Sequence, residues 1–338
     1  FGDLQEYTRE FYRLMEEYLA GYTYKLRDEL PEGIKHFIVS GQEINILAEI
    51  LTTENSPSKE TPLFEISRND FAELYEKIKR KTTDRIAVEY NLDADKAESL
   101  LPAACICHNL LECTDAKVIA ASRMLPCDAI LFEMLFPSRS AAIDKKFDKG
   151  TTLSVRELAT RHNANIAHCE IVRDFAIMIF NRIKKLHGLE SRDQLLLIAA
   201  AFLHDIGESV NTLDHHKISY EMVRRSDIVG LTQTEQRIVA LICLYHSSSP
   251  DLKFCKNLPT ETIVRISKLA AMLRLADSMD RSHTQKSKNA EVKLSDTSLT
   301  ITINTNANLS LEQWAFSEKG RFFEEVFGIK AALKIKKS

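Results

Sequence analysis

The stretch AAFLHDIGES, residues 200–209, constrains the fold of this chain more than any other feature. It continues an apolar run that starts at residue 195, and it contains an adjacent histidine and aspartate, His204 and Asp205. A buried imidazole and a buried carboxylate each cost several kcal/mol unless a polar or charged partner satisfies them. The sequence therefore predicts a core helix whose end faces a partner common to both groups, and a cation is the obvious candidate.

Other titratable side chains also occupy apolar helical stripes. Residues three or four positions apart lie on one face of a helix, so a polar residue in such a series points toward the core. The stripes are His168 with Val172, Phe175, Ile179, Ile183 and Leu186; His204 with Leu197 and Ala200; His246 with Val239 and Ile242; and Asp277 with Ile266, Ala270 and Leu273. The sequence therefore predicts several inward-facing imidazole and carboxylate groups in one helical domain.

Two more histidines, His215 and His216, follow in the segment DHHK and would lie near the same end of an antiparallel bundle. A single histidine on an apolar stripe is typically a hydrogen-bonded core residue. Four or more such side chains favour coordination of a divalent ion instead, because the ion offsets their desolvation together. Mixed histidine and carboxylate ligands suit iron, manganese or zinc better than calcium.

The composition indicates an ordinary globular chain of 338 residues, 44% apolar and 28% charged, with a formal net charge of -3. This charge gives no reason to expect nucleic acid as a partner, and no apolar run approaches the roughly 20 residues that a membrane helix needs. The seven cysteines include no CxxC pair, which favours reduced thiols in a cytoplasmic protein. We interpret Cys105, Cys107 and Cys113 as core residues.

Pattern changes along the chain predict three domains, at residues 1–150, 151–289 and 290–338. HFIVSG (36–41) and AKVIAAS (116–122) are typical of buried strands beside helices, which predicts a piece of parallel sheet. The polar segment 53–62 is expected to be a loop, and the charged segment 144–152 is expected to separate the first two domains. Residues 154–281 have helical patterns almost throughout, whereas residues 292–304 alternate like a hairpin.

The order His168, His204-Asp205 and Asp277 resembles the motif of the HD phosphohydrolase superfamily, which has a histidine, an adjacent His-Asp pair and a distant aspartate. The resemblance implies a metal site formed by these four residues. It also implies that metal-activated water attacks phosphorus at this site.

The same resemblance assigns roles to further residues. His215 or His216, together with His246, would add ligands where a second ion binds. His204 and Asp205 would act at the reacting centre, and Lys217 could balance phosphate charge.

Longer segments are similar to the exopolyphosphatase and guanosine pentaphosphate phosphohydrolase family, Ppx/GppA. The segments LHDIGESVN, HHKISYEMVRRSDIVGLTQTEQ, ALICLYHSSSPD and LAAMLRLADSMDRS resemble its helical domain, and LEQWAFSEKGRFFEEVFGIK resembles its small C-terminal domain. Residues 34–135 resemble the last part of its second actin-like lobe. The implied fold class is α+β and mainly α, with a partial actin-like (ribonuclease-H-like) α/β lobe, an all-α HD domain and a small α/β C-terminal domain.

The segments that carry polyphosphate chemistry in that family have no counterpart in this sequence. Its DxGSN-type, GEEEG-type and DxGGGS motifs do not occur, and VSGQE (39–43) stands where GTGGT is expected, so Glu43 would repel phosphate. Because the chain begins at Phe1, we expect either a fragment of a longer protein or a lineage that retains only the HD half. HHKIS in place of HHKHS has one imidazole fewer, which weakens the expectation of a binuclear site.

We therefore expect a Ppx/GppA-related phosphohydrolase that uses a divalent transition ion (Fe, Mn or Zn) at the HD site to cleave a nucleotide or another phosphate ester. One alternative is an exopolyphosphatase or guanosine pentaphosphatase acting through the missing actin-like lobe. The other is a non-catalytic module that binds polyphosphate and dimerises. Its basic residues would be Lys184-Lys185, Arg224-Arg225 and Lys286 with Lys288. The expected partners are a phosphate-containing small molecule or polyphosphate and, as in relatives, a second copy of the chain.

Overall fold

The computed structural model describes residues 8–52, 63–247, 252–256, 258–287 and 290–336. The chain divides into two compact units, residues 1–140 and 141–338. It is mainly helical with two small mixed sheets, which confirms the expected α+β, mainly α class. Among the described residues, no helix combines the length and apolarity that crossing a membrane requires.

The first unit combines helices with one three-stranded sheet. Its elements are α1 (Thr8–Glu29), β1 (Phe37–Ser40), α2 (Gln42–Thr52), β2 (Leu63–Ser67), α3 (Arg68–Ile78), α4 (Thr83–Tyr90), α5 (Ala94–Leu111), β3 (Val118–Ser122) and α6 (Pro126–Leu135). The strand order is β1-β3-β2, with β1 parallel and β2 antiparallel to the central β3. The expected parallel pairing is therefore present, but the sheet as a whole is mixed.

The strands of this sheet are buried on one face only, whereas the patterns at 36–41 and 116–122 predicted buried strands. Ile38 in β1 is 72% exposed, while Ile119 in β3 is 1% exposed. The buried face packs against the helices through a cluster that includes Leu47 of α2 and Leu100 of α5. Short apolar runs do not distinguish one-sided from two-sided burial, which is why the expectation was wrong. The predicted loop at 53–62 lies outside the described residues.

The second unit contains a helical bundle and a second three-stranded sheet. Its elements are α7 (Pro137–Arg161, within which the division between units falls), α8 (Ile166–Arg182), α9 (Lys184–His187), α10 (Ser191–Leu203), α11 (His215–Arg225), α12 (Gln233–Tyr245), α13 (Thr260–Ser278), β4 (Ala290–Leu294), β5 (Ser298–Asn304), α14 (Ser310–Phe327) and β6 (Lys330–Lys336), with 3₁₀ turns at Ile206–Ser209 and Leu252–Cys255. The expected hairpin is confirmed by the antiparallel β4–β5 pair, and β6 pairs parallel to β5.

The segment 144–152, where the first two domains were expected to separate, is helical. It lies inside α7, where Thr151 is buried and its hydroxyl donates to the Phe147 carbonyl at 3.1 Å. A Cβ at Gly150 would meet no atom within 4 Å, so this glycine does not mark a close approach. Charged residues that suggest a linker can also form the solvent-facing side of a helix. The three domains stay a prediction.

The helical stripe that starts at His168 is interrupted near its end. The backbone leaves the helical conformation at Ile183, between α8 and α9, and Gly188 then adopts a left-handed conformation with φ 61°. The interruption rotates the following residues. Leu186 is consequently 43% exposed instead of facing the core, and His187 is buried in its place.

A network around Arg192 joins three helices of the second unit. Its guanidinium donates to both carboxylate oxygens of Glu235, at 2.7 and 3.0 Å, and to Asp148 at 3.0 Å. Glu235 also accepts from the Thr232 backbone N–H at 2.9 Å, which completes the cap at the start of α12. The hydrogen bonds from Arg192 are the main reason why the pKa of Glu235 falls to about 2.

We predict that Glu235→Gln destabilises the protein by about 1 kcal/mol at pH 7, because the amide keeps the cap but loses the ion pair. The native pKa of Glu235 lies below its usual value of 4.5, so the contribution is fully present above pH 4.5 and disappears as the pH falls toward 2. Chemical denaturation at several pH values measures this difference. Glu221→Gln, which alters an exposed pair with Arg224, is the control and should change stability by less than about 0.5 kcal/mol. A difference as large at pH 2.5 as at pH 7 would contradict this account.

Candidate metal centre

Several helices of the second unit end at one point, and their ends carry the predicted residues. His204 and His246 occupy the C-terminal caps of α10 and α12, and Asp277 is the penultimate residue of α13. His168 lies in the first turn of α8, where the Asn165 side chain caps its backbone N–H at 3.2 Å. Because a helix carries partial negative charge at its C-terminus, the three C-terminal ends favour a cation here.

Four of the predicted ligands form one compact group. His204 Nε2 lies 3.1 Å and His168 Nε2 lies 3.7 Å from Asp205 Oδ2. The same two nitrogens lie 3.8 and 3.5 Å from Asp277 Oδ1. Ligand atoms bound about 2.1 Å from a common ion are separated by about 3.0–3.5 Å. The group therefore needs only small adjustments to hold one ion.

The second carboxylate oxygen of Asp205 faces a different pair of histidines. Asp205 Oδ1 lies 3.3 Å from His246 Nε2 and 3.6 Å from His215 Nε2, and these two nitrogens are 3.2 Å apart. Asp205 thus presents one oxygen to each of two neighbouring ligand sets. This is the arrangement of a carboxylate that could bridge two ions.

In each of the four histidines, the hydrogen bond of Nδ1, the ring nitrogen that points away from the centre, determines the tautomer. The Nδ1 atoms of His204, His215 and His246 contact the backbone carbonyls of residues 201, 212 and 243 at 3.0, 2.7 and 2.5 Å. His168 Nδ1 contacts Asp280 Oδ2 at 3.0 Å. Carbonyl and carboxylate oxygens only accept hydrogen bonds, so each Nδ1 is the protonated donor. In the neutral imidazoles every Nε2 therefore turns a lone pair inward, as metal-binding histidines do.

Three inward-facing atoms are buried without a hydrogen-bond partner among the described residues, namely His168 Nε2, His204 Nε2 and Asp277 Oδ1. Orphaned buried polar groups are rare in proteins and need an explanation. All three are acceptors that share one small volume, so hydrogen bonds to one another cannot satisfy them while the imidazoles are neutral. A divalent cation satisfies them together, and the donor set fits iron, manganese or zinc.

The pKa values of these residues also indicate that the centre stabilises a positive charge. Burial lowers the pKa of His204, but the Asp205 carboxylate outweighs burial and raises it to about 10. Burial raises the pKa of Asp205, yet the adjacent His204 holds it well below its usual range. Burial lowers the pKa of His246 to about 4, which keeps this imidazole neutral. A metal ion would take over the role of the His204 proton, so its binding would release protons.

Two residues predicted from sequence lie at the edge of this arrangement. His216 is half-buried next to His215, with ring centroids 5.6 Å apart, and it belongs to none of the ligand groups found among the described residues. Lys217 extends to the surface, where its ammonium pairs with Asp214 at 2.8 Å. Successive helical residues point about 100° apart, so only His215 of this trio turns its side chain into the centre.

The structure also adds residues that the sequence analysis missed. Asp280 fixes the ring of His168, and His283 stacks on that ring with centroids 3.9 Å apart. Glu208 is exposed and forms a possible ligand group with Asp205 and His215. Glu208 follows Asp205 by three positions and Asp280 follows Asp277 by three positions. This spacing was the available signal for both.

Gly207 allows α11 to approach closely enough for His215 to reach the centre. A Cβ at this position would lie 2.3 Å from the His215 carbonyl oxygen and 2.7 Å from the Ser219 backbone nitrogen. The Gly207 N–H also donates to the Ser219 hydroxyl at 2.9 Å. Any side chain at residue 207 would therefore displace the start of α11.

We predict that Gly207→Ala lowers the free energy of unfolding by about 1–3 kcal/mol, as overpacking does, and weakens metal binding by moving His215. Gly150→Ala is the matched control, because its Cβ would enter open space in the exposed middle of α7. The control should leave stability unchanged or raise it by up to about 1 kcal/mol. Denaturant unfolding and metal titration measure both effects. Equal behaviour of the two variants would show that the approach at Gly207 is not tight.

Parts of this chain are similar to known phosphatases. Residues 151–318 match the model of the Ppx/GppA phosphatase domain III, a range that contains every histidine and aspartate of the centre described above. Among solved structures, an exopolyphosphatase from Cytophaga hutchinsonii ATCC 33406 is similar with 17% sequence identity and a TM-score of 0.31. That match covers 40% of this chain and 42% of the exopolyphosphatase chain. The C-terminal part of this chain belongs to the Ppx/GppA phosphatase family.

Proposed function

We propose that the protein is a phosphohydrolase that uses a divalent transition ion, iron, manganese or zinc, at the centre formed by His168, His204, Asp205 and Asp277. Its substrate would be a nucleotide or another small phosphate ester. The observation that carries this proposal is the set of inward-facing acceptor atoms, three of them orphaned, around the Asp205 carboxylate. The family relates the chain to phosphatases but does not by itself assign a reaction to this centre.

The side chains of the centre would hold an ion, and the hydrogen bonds around them orient these ligands. His168, His204 and Asp277 would hold the first ion with Asp205 Oδ2, while His246 and His215 with Asp205 Oδ1 form the second set. Their outer hydrogen bonds hold the rings in place. When bound, a divalent ion supplies Lewis acidity toward a phosphoryl oxygen and toward water.

The open side of the centre determines where a substrate could approach. His204, His246 and Asp277 are almost completely buried, whereas the side chain of His215 retains 12% exposure and that of Asp205 retains 10%. Glu208 on the same side is exposed. A phosphate group would therefore approach past Asp205 and His215. Lys217 points its ammonium at Asp214, so a direct role for it in phosphate binding requires that pair to open.

The polyphosphate-binding alternative finds less support in the described residues. Both Arg224 and Arg225 direct their guanidinium groups to Glu221, at 3.0 and 3.2 Å, which reduces the positive charge available to a polyanion. Lys184 and Lys185 are exposed, and Lys288 lies outside the described residues. We keep this alternative, and hydrolysis by an actin-like lobe beyond this chain, as outcomes of the following experiment.

We predict that the protein, once stripped with chelator and then dialysed against Mn²⁺, Fe²⁺ or Zn²⁺, retains at least about one ion per chain and hydrolyses phosphate esters. His204→Ala should lose the ion and the activity together, because it removes a ligand from the centre. Elemental analysis measures the first quantity. Phosphate release from p-nitrophenyl phosphate and from a panel of nucleotides measures the second.

His187→Ala is the matched control for this substitution. His187 is also a buried histidine of the second unit, but its ring contacts the Phe180 carbonyl at 3.0 Å and accepts from Leu189 N–H at 2.8 Å. It should lose stability while retaining the ion. A wild-type chain that takes up no ion would refute the proposal. Ion binding without hydrolysis, together with retention of polyphosphate in a pull-down, would favour the non-catalytic alternative.

A further inference from the structure

One face of the C-terminal helix α14 packs against the helical bundle, and this stripe contains both polar and apolar residues. Glu312, Phe316, Lys319 and Phe323 follow at three- and four-residue spacing, and the two phenylalanines and Glu312 are almost fully buried. Glu312 accepts a hydrogen bond from the Ser282 backbone N–H at 3.0 Å. The stripe therefore contacts the turn that follows α13, close to the metal centre.

Lys319, on the same stripe, reaches the centre itself. Its ammonium pairs with Asp277 Oδ2, the oxygen opposite to the orphaned Oδ1. Both side chains are shielded from water, with exposures of 14% for Lys319 and 2% for Asp277.

The backbone next to Lys319 makes ordinary van der Waals contact with neighbouring elements. The helix backbone at Gly320 lies against α13 and β6, since a Cβ there would lie 4.0 Å from a Leu275 methyl group and 3.8 Å from the Ala331 Cβ. Gly320 follows Lys319 directly, so the approach brings the lysine within reach of Asp277. The family-model match ends at residue 318, one position before this lysine.

We propose that Lys319 is a built-in counter-ion of the metal centre, which holds Asp277 in place and limits the affinity of the centre for cations. This inference rests on the proposed metal centre and assigns its regulation to α14. The lysine occupies Oδ2 and leaves Oδ1 as the single oxygen that Asp277 offers to an ion. Its ammonium also places a fixed positive charge on the opposite side of the Asp277 carboxylate from the ion. This charge repels any cation that binds at Oδ1.

The charges of the centre explain the direction of the effect. The nearest buried carboxylates belong to Asp205, Asp277 and Asp280, and Lys319 offsets one of their three negative charges. The remaining two negative charges match one divalent ion bound with neutral histidines. Two unit charges about 5 Å apart at an effective dielectric constant of about 20 interact strongly enough to change an affinity by more than about tenfold. Removal of the ammonium should therefore tighten ion binding.

The test compares Mn²⁺ affinity in wild type and Lys319→Met by titration calorimetry of the metal-stripped full chain. We expect Lys319→Met to bind Mn²⁺ roughly tenfold more tightly or better. We also expect it to melt at a lower temperature without metal, because a buried carboxylate is left unpaired. Added Mn²⁺ should then raise the melting temperature more in the variant than in wild type. A purely structural role would lower stability without tightening the binding of Mn²⁺.

Three further variants complete the test. Lys319→Arg keeps the charge and should restore wild-type affinity, while Lys319→Gln removes the charge but can still donate to Asp277, and it serves if the methionine variant does not fold without metal. Arg321→Met alters an exposed residue of the same helix that pairs with Glu318, so it should change nothing. Unchanged or weaker Mn²⁺ binding in both neutral variants would overturn the inference while leaving the proposed function intact. If neither wild type nor these variants binds Mn²⁺, Fe²⁺ or Zn²⁺, both proposals fail.

Discussion

Two carboxylates without a full set of hydrogen-bond donors, Asp205 and Asp277, lie in the middle of an apolar bundle, and the arrangement of the second unit depends on how their charge is compensated. Each helix that reaches this point contributes a group that helps to compensate it. The imidazoles of His168 and His204 approach from two helices, and the ammonium of Lys319 approaches from α14. Removing carboxylates from water is costly, so these contacts select one packing of the helices over others with similar apolar burial.

This compensation requires unusually close backbone packing at one point, where Gly207 admits the start of α11. The rings of His204 and His246 are held by backbone carbonyls near the ends of their own helices, whereas the ring of His168 is held by the Asp280 carboxylate. The centre is therefore built mostly from helix ends, where unpaired carbonyl groups are available in any case. The same helix ends add negative potential, which strengthens the preference for a cation.

The arrangement around Asp205 also relates the architecture to chemistry. A carboxylate with a separate histidine pair on each oxygen can serve one ion or two with little change of structure. Residue 218 is an isoleucine, and neither pair needs an imidazole there, because His215 and His246 already form the second one. As the proposed counter-ion, Lys319 would set the charge of the centre, and with it the number and type of ions that the centre could hold.

The sequence by itself determined which residues face the core, because helical periodicity reports burial within each helix. His168, His204, His246 and Asp277 were identified in this way, whereas the mainly helical α+β class was implied by the family resemblance. Periodicity failed where the pattern was ambiguous, as in α7, whose charged surface resembled a linker, and in β1, whose exposed face resembled a buried strand.

Only the tertiary structure decided which of these residues meet and through which atoms. It places the ring of His215, and not that of its neighbour His216, in the centre. It also adds Asp280, whose spacing of three from Asp277 was a local signal, and His283 and Lys319, which no local pattern connects to the centre. Lys319 lies 42 residues from Asp277 along the chain and in a different helix. The physical reason is that burial is a property of one helix face, whereas coordination and charge compensation depend on the distances between atoms of separate helices.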